Sequence, residues 1–278
     1  MSVVLITGCS SGFGKLAAIA FAKRDDTVFA SMRDVAKAGP LRDAAVAAGV
    51  SVEIVQLDVT DRASVDAAVA GVVAKAGRID VLVNNAGIGA VAPTEEFEDD
   101  EFTRVFDTNV FGVLRVTRAV APIMREQHSG RVINIGSLAG IVVSPFRGIY
   151  SASKAAVEAI TDAMYYELHA FGIHVCVVEP GIFETSIGDN RMKMRRAAAA
   201  SPYATVFERF ENASTKAPRG SVRDPQAVAE IIVEAATAEQ PKRRYPVGRD
   251  AEAIVPLHKQ LSEEEFENVM RKALDFWD

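Results

Sequence analysis

The stretch Val3-Val4-Leu5-Ile6-Thr7-Gly8-Cys9-Ser10-Ser11-Gly12-Phe13-Gly14 decides the fold class. Its apolar run at 3–7 predicts a short buried strand, and the Ala-rich pattern at 15–24 after the glycines predicts a helix. A strand that turns through glycines directly into a helix is the opening unit of a doubly wound parallel sheet. In such sheets a dinucleotide pyrophosphate binds at the start of the first helix, where backbone N–H groups lack partners.

The three glycines of this loop have separate expected tasks. Gly8 can turn the chain with a positive φ, Gly12 lets the backbone approach a phosphate, and Gly14 lets the helix pack close to the strand. Ser10 and Ser11 add hydroxyl donors. The spacing departs from the general G-x-G-x-x-G fingerprint, so an ordinary glycine-rich turn is the alternative. The expected cofactor loop consists of Gly8, Ser10, Ser11, Gly12, Phe13 and Gly14.

Strand and helix patterns alternate through the rest of the chain. Further strands are predicted at 27–31, 51–57, 81–83, 131–135, 174–178 and 244–247. Further helices are predicted at 61–76, 100–126, 151–171, from 224 onward and at 262–276. Ser262, with Glu265 three residues on, is expected to cap the last helix. The alternation predicts an α/β fold with a doubly wound, Rossmann-type parallel sheet, as a single domain over residues 1–278.

The composition argues against several classes of protein. Hydrophobic residues make up 49% and charged residues 24%, a globular mix, and the formal net charge of -6 gives no general attraction to nucleic acid or an anionic membrane. No apolar run approaches the roughly 20 residues that span a bilayer. Cys9 and Cys176 make neither a disulfide framework nor a zinc site, and the histidines show no metal spacing. We therefore expect a cytoplasmic protein with reduced thiols, no metal, no nucleic acid partner and no membrane partner.

The end of the second strand bears on which dinucleotide binds. An NAD site usually has an acidic residue there to hold the ribose hydroxyls, but the chain has Ser31, and Arg33 follows two residues later. A guanidinium can bind a 2′-phosphate in bidentate geometry, which favours NADP(H) over NAD(H). The alternative is that Arg33 is a solvated loop residue paired with Asp34. After the third strand, Asp58 and Val59 are expected at the adenine, or Asp58 is only a turn residue.

Four further segments carry polar side chains at functional positions. Asn84-Asn85-Ala86-Gly87 ends the fourth strand, and Ser137 follows the strand at 131–135, so both lie at the carboxyl edge where ligands bind. Asn109 is a polar residue among Val and Phe within the long predicted helix. Tyr150 and Lys154 are four residues apart, so they share one helix face.

Together these segments resemble the short-chain dehydrogenase/reductase family. The shared motifs are T-G-x-x-x-G-x-G at Thr7–Gly14, N-N-A-G at Asn84–Gly87, Y-x-x-x-K at Tyr150–Lys154 and P-G at Pro180-Gly181, with Asn109 and Ser137 between them. The resemblance is close over residues 3–181 and holds in outline beyond. The residues of the glycine loop and of the segment 31–34 are most similar to those of the hydroxysteroid and retinol dehydrogenase branch.

The resemblance implies hydride transfer between a nicotinamide and a carbonyl or secondary alcohol, with four catalytic residues. Tyr150 would be the general acid or base, and Ser137 would orient the substrate oxygen. Working near neutrality requires the pKa of Tyr150 to fall by roughly three units, or about 4 kcal/mol. An ammonium on Lys154 about 5 Å away would supply about 3 kcal/mol at an effective dielectric of about 20. Lys154 would also bond the nicotinamide ribose, and Asn109 would hold a water linking Lys154 to solvent.

The same resemblance implies the remaining cofactor contacts and the substrate region. Further cofactor-binding residues would be Asn85, Ala86, Gly87, Pro180, Gly181 and Thr185, besides Tyr150 and Lys154. The irregular segment 182–220 would be the substrate-binding loop, and its apolar side chains favour a bulky apolar ketone or alcohol as substrate. Its basic residues either meet an acidic group or form a solvated helix face. Leu138, Val143, Phe146 and Gly89 are expected to line the inner pocket. Relatives form dimers or tetramers, so a homo-oligomer is expected.

Three other functions share part of this pattern. A non-catalytic protein of the same fold that senses nucleotides predicts broken catalytic positions, whereas this sequence keeps all four. An isomerase or dehydratase acting on a nucleotide sugar needs a longer C-terminal part. A 3-ketoacyl reductase that acts on an acyl carrier needs a basic docking patch, which the run at 191–196 leaves open.

Overall fold

The computed structural model describes residues 1–183, 201–216 and 224–274. Seven strands form one sheet in the order β3-β2-β1-β4-β5-β6-β7, and every neighbouring pair is parallel. The strands are β1 (Val3–Ile6), β2 (Thr27–Met32), β3 (Glu53–Gln56), β4 (Val81–Asn84), β5 (Gly130–Ile135), β6 (Ile173–Pro180) and β7 (Arg244–Val247). The predicted doubly wound parallel sheet is confirmed.

Helices cover both faces of this sheet. They are α1 (Gly12–Ala22), α2 (Gly39–Ala48), α3 (Arg62–Ala76), α4 (Asp99–Phe106), α5 (Gly112–Glu126), α6 (Gly148–His169), α7 (Ala204–Lys216), α8 (Gln226–Thr237), α9 (Arg249–Gln260) and α10 (Glu263–Leu274). None of the described helices combines the length and apolar character that a bilayer crossing needs.

Alternate residues of the strands pack into two separate cores. In β1, Val4 and Ile6 join one core together with residues of α1 and α8, whereas Leu5 joins the other together with residues of α3, α5 and α6. All four β1 residues are buried, as expected for a parallel sheet that is covered on both faces. This double burial is why the strand segments are apolar without polar alternation.

The prediction of one regular helix over 100–126 is wrong in its middle. The segment is divided into α4 and α5 by a π-helical turn at Asp107–Phe111, which contains Asn109. A π turn adds a residue to the helical ladder, and such turns occur frequently at functional sites. Apolar periodicity in the sequence does not reveal it, because the helix axis continues on both sides.

Three helices were missed in the sequence. α2 begins at Gly39-Pro40, two residues that are typical of a turn, although proline is well tolerated in the first turn of a helix. α9 contains Pro256, and α7 lies within the segment 182–220 that was expected to be irregular. The predicted cap of α10 is confirmed, since Ser262 N donates to Glu265 Oε2 at 2.9 Å and Glu265 N to Ser262 Oγ at 3.3 Å.

The strand order determines where a ligand can bind. β1 and β4 are neighbours, and the chain leaves β1 toward β2 on one side but leaves β4 toward β5 on the other. A crevice forms at such a switch point, outside the carboxyl ends of the strands. The glycine loop after β1, the N-N-A-G segment at the end of β4 and Ser137 after β5 all meet at this edge.

Candidate active site

The glycine loop after β1 has the conformation that its sequence predicts. Gly8 has φ +74° and Gly12 has φ +57°, both in the left-handed region that favours glycine. A Cβ atom added to Gly14 would lie 2.4 Å from Asn85 Nδ2 and 2.6 Å from the Gly8 carbonyl oxygen. Gly14 is therefore required by close packing between α1 and the neighbouring loop.

Two predicted motifs hold each other in place across the sheet. Asn85 Nδ2 donates to the carbonyl oxygens of Thr7 at 2.8 Å and Gly8 at 3.0 Å. Thr7 Oγ1 accepts from the backbone N–H groups of Asn85 and Ala86, both at 3.0 Å. The Asn85 side chain thus fixes the shape of the glycine loop, while its expected cofactor contact stays a prediction.

The start of α1 provides donors that suit an anion. Ser11 precedes the helix with an extended backbone, and its side chain makes no capping hydrogen bond within the described structure. The first turn contains no acidic residue. The first N–H groups of a helix lack intrahelical partners, and the helix dipole favours negative charge beside them. The loop therefore fits the pyrophosphate of a dinucleotide.

Arg33 lies at a second position suited to a phosphate. It is exposed at the end of β2 and, with Thr60 and residues of α4 and the π turn, it lines a cavity of about 500 Å³. Asp34 accepts from Ala36 N at 3.0 Å, and no Arg33–Asp34 ion pair forms in the described part of the chain. The opposite wall of the cavity carries Asp99, Asp100 and Asp107 together with Arg104, and Asp107 is paired with Arg115 at 2.5 Å.

Asp58 and Val59 occupy structural positions after β3. Asp58 Oδ1 accepts from Thr60 N at 2.9 Å and Thr60 Oγ1 at 2.7 Å, so Asp58 stabilises a turn, the alternative that its position in the sequence allows. Val59 is buried, and a Cβ on Gly112 of α5 would lie 2.9 Å from its Cγ2. Their expected contacts with adenine stay predictions.

Asn109 connects the loop after β4 to α6. Its Oδ1 accepts from Ile88 N at 2.9 Å, and its Nδ2 donates to Ile88 O and to Ser153 Oγ, both at 3.0 Å. Ser153 Oγ in turn donates to the Tyr150 carbonyl oxygen at 2.7 Å. This chain of bonds fixes the first turn of α6, and therefore Tyr150, against the loop. The water expected at Asn109 stays a prediction.

Tyr150, Lys154 and Ser137 lie together at the carboxyl edge. Tyr150 is in the first turn of α6, and Lys154 Nζ lies 5.9 Å from the centroid of its ring. Lys154 Nζ donates to the Ile135 carbonyl oxygen at 2.7 Å. Ser137 Oγ accepts from Ala139 N at 3.1 Å, and Ser137 lies close enough to Tyr150 to lower the pKa of its phenol. The structure thus brings Tyr150, Lys154 and Ser137 together, while Asn109 holds the first turn of α6 through Ser153.

The pKa of Tyr150 does not move in the expected direction. Lys154 was expected to bring this pKa most of the way toward neutrality. Burial raises the pKa of the Tyr150 phenol above its usual value of 10, and the bond to Ser137 and the charge of Arg147 offset this only in part. The ammonium of Lys154 is directed at the Ile135 carbonyl, which reduces its effect on the phenol. In the cofactor-free protein Tyr150 is therefore a protonated acid at neutral pH.

Lys154 has the opposite shift because it is a buried cation. The pKa of Lys154 is lowered from 10.5 to about 8, mainly because the ammonium is buried. The negative charge of Glu158, one helical turn further along α6, opposes this shift. Neither Glu158 nor Arg147 was predicted as a functional residue. The spacing of four residues from Lys154 to Glu158 was the signal in the sequence, whereas nothing in the pattern indicated that Glu158 is buried.

The P-G motif packs against α9. Gly181 N donates to Val247 O at 2.8 Å, and a Cβ on Gly181 would lie 2.0 Å from Asp250 Oδ1. Asp250 Oδ2 accepts from Ile182 N at 2.7 Å. Pro180 and Gly181 therefore start the connection that leads from the sheet to the segment 182–220, which stays a predicted substrate-binding loop. Thr185, expected at the nicotinamide carboxamide, and the basic run at 191–196 lie outside the described residues.

α7 and the segment before it pack against the loop that precedes Tyr150. Phe146 has φ +61°, and its ring lies 5.0 Å from that of Phe207 and 5.3 Å from that of Phe210. Tyr203 Oη donates to Glu95 Oε1 at 3.0 Å, and Ser201 Oγ donates to Glu96 Oε2 at 2.8 Å. An aromatic cluster therefore lies four residues before Tyr150, and the expected apolar pocket stays a prediction.

The chain matches proteins of known type over most of its length. A family model described as short chain dehydrogenase matches residues 2–196. The 3-ketodihydrosphingosine reductase of Bacteroides thetaiotaomicron is 35% identical over 247 residues, which are 88% of this chain and 87% of that protein. The 17-beta-hydroxysteroid dehydrogenase type 1 of Mus musculus is 38% identical over 257 residues, covering 88% and 73% of the two chains.

Solved structures agree with these relatives. A short-chain dehydrogenase from Streptomyces avermitilis is 35% identical, covers 98% of each chain and has a TM-score of 0.80. A gluconate 5-dehydrogenase from Burkholderia cenocepacia, in complex with NADP and tartrate, is 27% identical over 91% and 95% of the chains, with a TM-score of 0.75. A 3-ketoacyl-(acyl-carrier-protein) reductase from Brucella melitensis, complexed with NADH, is 30% identical over 88% and 95%, with a TM-score of 0.73.

Proposed function

As a member of the short-chain dehydrogenase family, the chain is a hydride-transferring oxidoreductase that binds a nicotinamide cofactor and acts on small molecules, and we propose that it uses NADP(H) to interconvert a bulky apolar ketone and its secondary alcohol. One observation carries this proposal: Tyr150, Lys154 and Ser137 lie together at the carboxyl edge of the sheet, and Asn109 holds the turn that carries Tyr150 through Ser153. The nucleotide-sensing alternative has no observation in its favour.

The proposed chemistry divides between the cofactor and this chain. When bound, the nicotinamide supplies or accepts the hydride at the carbonyl carbon. Tyr150 donates its phenolic proton to the substrate oxygen in reduction and accepts a proton there in oxidation. Ser137 Oγ accepts from Ala139 N, so its own hydrogen is available for the substrate oxygen or for Tyr150. The positive charge of Lys154 stabilises the negative charge that develops on the Tyr150 oxygen.

The protonation of Tyr150 can be tested without a substrate. We expect that no Tyr150 ionisation is seen below about pH 10 in the cofactor-free protein, because burial keeps the phenol neutral. The measurement is the absorbance at 295 nm against pH for the wild type minus that for Tyr150→Phe. A difference step between pH 6 and 8 would show instead that nearby positive charge alone activates the phenol.

Arg33 supports the proposed preference for NADP(H). Arg33 is an exposed cation directly after β2, the strand in which Ser31 replaces the usual acidic residue. The glycine loop follows β1, which is the neighbour of β2 in the sheet. A 2′-phosphate is present in NADPH and absent in NADH, so a charge-assisted contact to Arg33 discriminates between the two. Arg33 is the positively charged lining residue on the β2 side of the cavity, and Arg104 lies on the α4 side among Asp99 and Asp100.

Replacing Arg33 by Ala should weaken NADPH much more than NADH. A bond to a charged group contributes about 1.5–3 kcal/mol, so kcat/KM for NADPH should fall by about 10- to 100-fold while that for NADH changes less than threefold. Lys37→Ala is the matched control, since Lys37 is an exposed cation on the following turn that does not line the cavity. Equal losses with both cofactors would contradict the proposed preference.

The aromatic residues before Tyr150 and on α7 support a bulky apolar substrate. Phe207 and Phe210, in the later part of the proposed substrate-binding segment 182–220, pack on Phe146 and form a cluster with it. The decisive experiment is a screen of ketones and alcohols, from steroid-sized and long-chain compounds to short polar ones, followed by NADPH absorbance with NADH in parallel. Turnover confined to acyl thioesters would favour the 3-ketoacyl reductase instead.

Three large hydrophobic side chains are exposed: Phe102 on α4, Phe111 in the π-helical turn and Tyr166 on α6. They support the proposed homo-oligomer.

A further inference from the structure

The loop that carries Ser137 contacts Lys154 of α6 from both of its ends. At one end, the Ile135 carbonyl oxygen accepts from Lys154 Nζ at 2.7 Å. At the other end, a Cβ added to Gly140 would lie 2.9 Å from the carbonyl carbon of Lys154 and 3.1 Å from its Cβ and its carbonyl oxygen. The loop therefore lies directly on the helix backbone at Lys154, with no room for a side chain at Gly140.

Gly136 makes a second close approach, one helical turn further along α6. A Cβ on Gly136 would lie 2.2 Å from Glu158 Oε1 and 2.7 Å from Val177 Cγ2. The carboxylate of Glu158 cannot easily turn away, because its other oxygen is paired with Arg244 of β7. The two glycines on either side of Ser137 thus face neighbouring turns of the helix that carries Tyr150.

Neither glycine is required by the backbone conformation. Gly136 and Gly140 both have φ outside the left-handed region that favours glycine, unlike Gly8 and Gly12 of the cofactor loop. An alanine could therefore adopt the same backbone angles, and only the neighbouring atoms of α6 and β6 exclude its methyl group. An alanine substitution at either position is thus a test of the contact alone.

A displacement of Gly140 would reach Ser137 directly. Gly140 N donates to the Ser137 carbonyl oxygen at 2.9 Å, and Ala139 N donates to Ser137 Oγ at 3.1 Å, so Ser137 moves with the short 3-10 turn that follows it. Carbon atoms in contact are optimally about 3.5–4.0 Å apart, so a methyl group at Gly140 requires the turn and α6 to separate by about 0.5–1 Å. The turn carries Ser137 and the helix carries Tyr150, so the distance between the two hydroxyls would increase.

We propose that Gly140, supported by Gly136, is a positioning residue: the missing side chain lets the Ser137 loop lie on the backbone of α6 and thereby sets the distance between Ser137 and Tyr150. The inference rests on the proposed function, in which both hydroxyls act on one substrate oxygen. Gly140 has the larger part, because the atoms that it faces belong to helix backbone and cannot rotate away.

Gly140→Ala should lower kcat/KM by about 10- to 100-fold, because a misplacement of up to about 1 Å costs up to about 10²-fold in rate. Gly130→Ala is the matched control, since Gly130 is at the opposite end of β5 and its Cβ would lie 2.5 Å from Sδ of buried Met124. Both variants should lower the melting temperature by about 2–6 °C through overpacking, whereas Gly130→Ala should keep kcat/KM within about threefold of the wild type.

A double-mutant cycle separates positioning from general damage. In a Ser137→Ala background the residual rate no longer depends on where the serine hydroxyl lies, so adding Gly140→Ala should cost less than about threefold. An equal fall in rate in both backgrounds, or an equal loss in Gly130→Ala, overturns the proposal. Gly136→Ala is measured in the same cycle and carries the test if Gly140→Ala does not fold.

Crystal structures of the same variants give a result that needs no turnover. The separation of Ser137 Oγ and Tyr150 Oη should be larger by about 0.5 Å or more in Gly140→Ala than in the wild type, and unchanged in Gly130→Ala. A wild type that turns over no ketone or alcohol defeats the proposed function and leaves this comparison readable. An active wild type with the same separation in Gly140→Ala defeats only the role of the glycines.

Discussion

Replacing Tyr150 by Phe should lower kcat/KM by about 10³-fold, because it removes the proton-transfer group and little else. The Tyr150 side chain is buried and Lys154 Nζ lies over its ring, so phenylalanine can keep both the packing and the cation–π contact. Only the phenolic hydroxyl and its interaction with Ser137 are lost, which costs at most about 1 kcal/mol of stability. Loss of rate with a nearly normal fold is the expected combination.

Three measurements test this substitution. Steady-state rates with the best substrate of the screen give kcat/KM, the enhancement of NADPH fluorescence gives cofactor affinity, and a thermal melt reports folding. Cofactor affinity should remain within about threefold of that of the wild type, since Lys154 stays in place. Tyr166→Phe is the matched control, because Tyr166 is on the same helix and 67% exposed. A Tyr150→Phe enzyme that keeps half of the wild-type rate would contradict the assignment of the acid.

The sequence motifs predict which residues lie together at the site. They do not predict the hydrogen bonds and packing contacts that fix these residues in place. Gly8 and Gly14 have the conformational and packing tasks expected for them. Asn85, expected at the cofactor, turns out to hold the glycine loop through its side-chain amide. That bond joins residues 77 and 78 positions apart, and it follows from the strand order, which a single motif does not contain.

The electrostatics of the site were the least predictable part. The spacing of Tyr150 and Lys154 gives one helix face, and together with the family resemblance it led us to expect a lowered pKa for the tyrosine. Desolvation depends on what covers that face, and here it outweighs the nearby cation. The π turn around Asn109 and the buried position of Glu158 were hidden for the same reason, because both are set by packing against other elements.

Replacing Lys154 by Met should abolish most turnover and at the same time stabilise the fold. The ammonium that steadies charge on Tyr150 is lost, so kcat/KM should fall by about 10³-fold. The buried lysine has its pKa lowered from 10.5 to about 8, which corresponds to about 3 kcal/mol of unfavourable burial at neutral pH. Loss of the bond to Ile135 O offsets about 1 kcal/mol, so the free energy of unfolding at pH 7 should rise by about 2 kcal/mol.

The pH dependence of this gain has a definite sign. Between about pH 8 and 10.5 an unfolded lysine is protonated whereas folded Lys154 is not, so the unfolded state binds more protons and the wild type gains stability as pH rises. The advantage of Lys154→Met should therefore be full below pH 8 and shrink toward pH 10.5. Urea denaturation at pH 7 and pH 10 measures both values.

Lys75→Met is the control for this pair of measurements, since Lys75 is an exposed lysine that pairs with Glu53 and should change stability by less than about 0.5 kcal/mol. A Lys154→Met protein that is less stable than the wild type at pH 7 would show that Lys154 strengthens the fold. A gain of equal size at pH 7 and pH 10 would show that it comes from packing, not from charge. In the expected case the enzyme keeps a destabilising ammonium at Lys154 because Tyr150 needs a positive charge beside it. The negative charge of Glu158 reduces the destabilisation that burial of Lys154 causes.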